Sequence, residues 1–239
     1  MLKKNLILVA NCLSLATVML GLGNYVQPAM ARVSKSIAIA NNPKVEQLKE
    51  SAAKKSDRND FLGAIADYTA ALKLDPQNIE IYELRSYLYY LKEDYKSAIA
   101  DLNQAIKIKP KALNLHYRRA LSRIAMGDAK GGIADLTMEF SLNKPRQIPG
   151  LYATRARAYQ SLGKHPEAIA DFSTELTFKD VASIANSGAV LTDRAASYVK
   201  LGNKKAAIKD LKAAMEVFKK LGLDGNQQET LEKLKALGQ

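Results

Sequence analysis

From Val45 onward, apolar or small residues recur at three- and four-residue steps, first through one stretch and then, after a polar turn, through a second. That spacing predicts amphipathic helices in pairs. The pair is itself repeated: Ala64-Ile-Ala-Asp-Tyr68 returns as Ala98-Ile-Ala-Asp-Leu102, Gly132-Ile-Ala-Asp-Leu136, Ala168-Ile-Ala-Asp-Phe172 and Ala207-Ile-Lys-Asp-Leu211, at steps of 34, 34, 36 and 39 residues. A period in that range belongs to stacked units, each of which buries its apolar face against its neighbours. A second regularity fixes the pairing. The small residues Ala52 and Ala64, Ser86 and Ala98, Ala120 and Gly132, Ala156 and Ala168, and Ala195 and Ala207 are always 12 apart, as a constant helix crossing requires. Gly127-Asp128, Gly163-Lys-His-Pro166 and Gly202-Asn203 break the chain within units, and Asp75-Pro76 and Lys109-Pro110 end second helices. The longer links, Asn143 to Gly150 and Lys179 to Gly188, absorb the two and five extra residues.

Tyr82, Ser86, Tyr89, Tyr95, Ala98, Leu102, Ala105 and Pro110 follow a known consensus, as do Leu48, Ala52, Phe61, Ala64, Tyr68, Ala71 and Pro76. The fourth unit matches through Tyr152, Ala156, Tyr159, Gly163, Ala168 and Phe172, and the fifth through Ala195, Tyr198, Gly202, Ala207, Leu211 and Ala214. Over residues 45–221 the chain resembles the tetratricopeptide-repeat (TPR) family, in an exported bacterial type. The resemblance implies an all-α solenoid, a right-handed superhelix of five hairpins at 45–78, 79–112, 113–147, 149–182 and 188–221. Residues 224–239 then form a capping helix, with Leu231, Leu234 and Leu237 on one side. The third unit departs from the pattern: Arg123 replaces an aromatic, Gly132 replaces alanine, and Glu139, like Glu175 in the fourth, replaces a later alanine. A locally loosened repeat is the expectation, with a functional adaptation as the alternative.

Arg85, Arg119, Arg155 and Arg194 occupy equivalent places in first helices, where the first unit has Ser51, and Asp67, Asp101, Asp135, Asp171 and Asp210 do so in second helices. An arginine missing only from the unit without a predecessor predicts pairing across repeats: Asp67 with Arg85, Asp101 with Arg119, Asp135 with Arg155 and Asp171 with Arg194. Asp210 would then meet Lys233 or Lys235. These charges read as structural glue rather than catalysis.

The N-terminus reads differently. Lys3 and Lys4, an apolar stretch from Leu6 to Leu22 and Ala29-Met30-Ala31 predict a signal peptide over 1–31, followed by a flexible leader at 32–44. Export to the periplasm or another extracytoplasmic compartment follows, with an uncleaved membrane anchor as the alternative and lipidation of Cys12 as the weakest reading. Cys12 is the only cysteine, so the mature chain has no thiol for disulfides, nucleophilic catalysis or metal binding. His116 and His165 lie in different repeats with no ligand-spaced neighbour. With no phosphate loop, ordered triad or metal cluster, the sequence predicts no enzyme and no cofactor.

The family resemblance implies a partner held on a concave surface lined by first helices. The lysines and asparagines that grip a terminal carboxylate in the best-understood members are absent: Lys49 and Ala53, Glu83 and Tyr87, Tyr117 and Leu121, Ala153 and Arg157, and Thr192 and Ala196 stand there instead. Tyr87, Tyr90, Tyr117, Leu121 and Ile124 make an aromatic and aliphatic stripe suited to an amphipathic helix or extended apolar segment, with Arg157 for an acid of that ligand. The alternative is that these tyrosines pack between helices, as Tyr82, Tyr89 and Tyr95 fit core roles. The formal charge is +12, and the excess lies late: 11 basic and 11 acidic residues from Val45 to Ala112, against 20 and 13 from Leu113 to Gln239. The expected partner is therefore a protein or peptide, with no nucleic acid, and with the membrane engaged only through the signal peptide. A basic-surface binder of anionic polymer or lipid and a self-associating envelope component stand as alternatives.

Overall fold

Eleven α-helices make up the residues that the computed structural model describes, 42–142, 150–178 and 181–238. The expected signal peptide, nearly all of the expected leader, and link residues 143–149 and 179–180 lie outside the described residues. Two compact units divide the chain after Pro76. In the first, α1 (Pro43–Asp57) pairs with α2 (Phe61–Leu74). In the second, α3 (Ile79–Leu91) pairs with α4 (Tyr95–Ile108), α5 (Leu115–Ala125) with α6 (Ala129–Leu142), α7 (Leu151–Ser161) with α8 (His165–Glu175), and α9 (Val181–Lys200) with α10 (Lys204–Leu221). Within this unit the second helix of each hairpin packs on the first helix of the next, and α11 (Asp224–Ala236) packs on α10. The fold is all-α, a helical-repeat solenoid, with no strand among the described residues.

Each hairpin turns on the same local chemistry. Asn59, Glu93, Gly127, Gly163 and Gly202 occupy one equivalent position, and all five have positive φ, which lets the chain reverse in a short turn. The next residue caps the second helix: Asp60, Asp94, Asp128 and Asn203 accept from the backbone N–H three residues on. The fourth hairpin has Lys164 there and relies on Pro166 in the first turn of α8. Every member of the small-residue pairs is buried, so the two helices meet where side chains are smallest.

In the fifth hairpin the first helix reaches back into the expected link at Lys179 to Gly188. α9 begins at Val181, so most of the segment up to Gly188 is helix, and a β-carbon at Gly188 would collide with the Phe218 ring. A glycine here reflects close helix packing rather than a break.

The charged ladder differs from the expected pairing. Each arginine forms a two-pronged bridge with the aspartate of its own hairpin: Arg85 with Asp101, Arg119 with Asp135, Arg155 with Asp171 and Arg194 with Asp210, at 2.6–2.9 Å. In the first hairpin Ser51 and Lys55 hold Asp67 instead. The expected Asp101–Arg119, Asp135–Arg155 and Asp171–Arg194 pairs are therefore corrected. So is that of Asp210, since Lys233 and Lys235 bind Glu229 and Glu232. A helix crossing at small residues places the arginine just before one of them opposite the aspartate three residues after the other. The remaining guanidinium nitrogen reaches the preceding hairpin: Arg119 donates to Asn103, Arg155 to Thr137 and Arg194 to Ser173.

The third and fourth units are not loosened. Glu139 and Glu175 are buried, and each carboxylate accepts from backbone N–H groups that open its hairpin's first helix: Asn114 and Tyr117 for Glu139, Gly150 and Ala153 for Glu175. Asn114 and Gly150 sit in the left-handed region with no side-chain cap, so an acid 25 residues later supplies what Asn78 supplies locally to α3. Arg123 joins Arg119 on Asp135 and donates to the Gly131 carbonyl. Gly132 leaves room for Ile124, which a β-carbon would strike.

Candidate protein-binding surface

The first helices of the second unit, α3, α5, α7 and α9, carry the residues expected to bind a partner. Tyr87 is 49% exposed, and Leu84 and Leu91 of the same helix are exposed with it. Tyr90 is half-buried and meets the Tyr95 ring edge-on, with centroids 5.5 Å apart. Tyr117 and Ile124 pack onto the buried Ala120, Leu136 and Leu151, and Leu121 is half-buried. Burial pushes the Tyr117 phenol up, against a hydrogen bond with Thr154. Tyr117 and Ile124 therefore also do core work between hairpins. Arg157, expected to await an acid of the ligand, already holds Asp193 of α9 at 2.7 Å, while Gln160 donates to the Asp193 carbonyl and the Ser197 hydroxyl. Arg118 lies 4.0 Å from Glu83, tying α5 to α3, and burial raises the Glu83 carboxyl against the pull of that arginine.

A further feature of this face escaped the sequence. Where α11 lies beside α9, Thr192, Ala196, Val199, Lys200, Lys233 and Leu237 enclose an apolar cleft of about 280 Å³. Thr192 and Ala196 occupy the first-helix places noted as binding positions, which was the available signal. The opposite wall depends on how the cap docks, which no spacing within the repeats reveals.

His116 is buried, its Nδ1 has no hydrogen-bond partner, and burial lowers its pKa, with Arg119 adding to the effect. Among the described residues no three His, Cys, Asp or Glu side chains converge as a metal site. No described helix is long and apolar enough to cross a membrane.

Comparison with known proteins agrees with this architecture. Tetratricopeptide-repeat family models match residues 55–113 and 189–221. The chain carries tetratricopeptide repeats in both stretches. Its fold is similar to that of MamA, at 21% identity over 74% of this chain and 93% of that one, with a TM-score of 0.67. It is likewise similar to MamA residues 41 to the end from Desulfovibrio magneticus RS-1, at 13% identity over 74% and 96%, TM-score 0.68. A third is YrrB, described as a TPR protein with an unusual peptide-binding site, at 19% identity over 82% and 97%, TM-score 0.62. At these identities the likeness speaks for the fold of this repeat protein. No curated protein matches its sequence.

Proposed function

We propose that this repeat protein is a non-catalytic scaffold that holds a peptide or helix of a partner protein in the cell envelope along α3, α5, α7 and α9. One observation carries the reading: this face keeps Leu84, Tyr87, Leu91 and Val199 in solvent and ends in an apolar cleft. Large apolar side chains on a rigid helical surface gain free energy by burial against a partner's apolar face, at about 25 cal/mol per Å². Tyr87 and Leu121 are the outward contacts of the stripe, Tyr90, Tyr117 and Ile124 form its floor, and the Arg157–Asp193 pair marks its polar edge. The peptide-binding site described for YrrB supports the reading, as the signal peptide expected over 1–31 supports the envelope.

Selection of random peptides on the immobilised full chain tests it. Enriched sequences should carry apolar or aromatic residues, and Tyr87→Glu and Val199→Glu should each weaken their binding by about tenfold or more without moving the thermal midpoint. Absence of enrichment, or binding indifferent to both substitutions, would overturn the proposal.

A further inference from the structure

The outer face of α10 carries a charge pattern that the binding face does not use. Its buried stripe is Ala207, Asp210, Leu211, Ala214 and Phe218. At 100° per residue, Lys205, Lys209, Lys212, Lys219 and Lys220 fall on the opposite side, within an arc of about 100° and over about 22 Å of helix. All five are exposed, and Glu216 is the single acid on that arc. The other acid of the helix, Asp210, is buried and taken by Arg194. By contrast, Lys54, Lys55, Lys233 and Lys235 are held by Glu50, Asp67, Glu229 and Glu232. Among the described residues no carboxylate lies within ion-pair distance of Lys204, Lys205, Lys209, Lys219 or Lys220. No other second helix has a row of five; α2 exposes Lys73, α4 exposes Lys96 and Lys107, α6 exposes Lys130, and α8 has no lysine.

We infer that this face of α10 adsorbs to an anionic lipid bilayer surface. A straight row of cations on one helix meets a plane along its whole length, and each lysine near such a surface gains attraction that adds to its neighbours'. Two exposed leucines flank the helix, Leu201 before it and Leu223 after it, and add apolar side chains near the ends of the row. Nucleic acid fits less well. The row has no arginine to fork onto phosphates, and the one aromatic of α10, Phe218, is buried and offers no face for a base. A membrane contact by the folded repeats goes beyond the signal peptide, and it leaves the first-helix face free for a protein.

Vesicle flotation with the full chain tests this, comparing phosphatidylcholine alone with vesicles containing one third phosphatidylglycerol, in 0.1 M and 0.5 M salt. Binding should require phosphatidylglycerol and fall steeply at the higher salt, because charge attraction is screened beyond about 10 Å at 0.1 M. The variant Lys205→Glu/Lys209→Glu/Lys219→Glu should lose about tenfold or more of that binding. The control Lys96→Glu/Lys107→Glu/Lys111→Glu, which removes the same charge from exposed positions in and just after α4, should lose less than about threefold. Circular dichroism checks that both remain folded. Equal losses in the two variants would reduce the effect to net charge and overturn the assignment. So would failure of the wild type to float, or release from vesicles by an equimolar soluble polyanion, which would make the partner a polymer.

Discussion

At the residue scale, burial separates charges that carry stability from charges that decorate the surface. Asp135 is 5% exposed and serves both Arg119 and Arg123, so Asp135→Ala leaves two guanidinium groups without their carboxylate in a partly buried site. Its expected cost is about 2–4 kcal/mol in urea denaturation. Asp193→Ala removes a pair whose members are 34% and 49% exposed and should cost less than about 1 kcal/mol. His116 gives a pH dependence. Its folded pKa is lowered by burial, with Arg119 and Arg123 reinforcing and Asp135 and Glu139 opposing. A depressed value means the neutral imidazole is favoured in the fold. Its contribution is therefore present above the unfolded pKa near 6.5 and is lost as pH falls through the folded value. Urea midpoints at pH 7.5 and pH 5.0 should differ less in His116→Gln than in the wild type.

At the scale of the element, the hairpin turn sets the strain. Glu93 holds φ of 60° where Gly127, Gly163 and Gly202 stand in later hairpins. A side chain in that region costs about 1 kcal/mol, so Glu93→Gly should raise stability by roughly that amount in a thermal melt. The opposite change, a bulky residue at Gly202, should lower it. These turns were legible as breakers, because glycine and capping residues act within three or four positions. The buried acids Glu139 and Glu175 were not. Each looked like a departure from a small-residue position, and each supplies a cap to a helix start 22–25 residues earlier in the chain.

For the whole molecule, the last hairpin of the second unit needs a cover. Leu234 of α11 packs with Ala195, Ala207 and Leu211, with Leu237 beside them. Truncation after Gly222 uncovers that apolar surface and removes one wall of the cleft. The shortened chain should self-associate in sedimentation velocity and melt earlier, whereas a charge-neutral change on the exposed side of α11 should do neither.

The sequence by itself determined the period, the helix pairs, the 12-residue crossing and the turns. Helical periodicity and turn chemistry are local and are written in neighbouring residues. It also held a clue to the ladder. Arginine and aspartate are always 16 apart within a hairpin, but 18, 18, 20 and 23 apart between hairpins, and only a constant interval can serve a constant contact. Tertiary structure alone decided that Arg157 is spent on Asp193, that Tyr117 and Ile124 are half in the core, and that α9 and α11 enclose a cleft. Those outcomes depend on the rotation and approach of helices far apart in the chain, which side-chain spacing along a single helix does not encode.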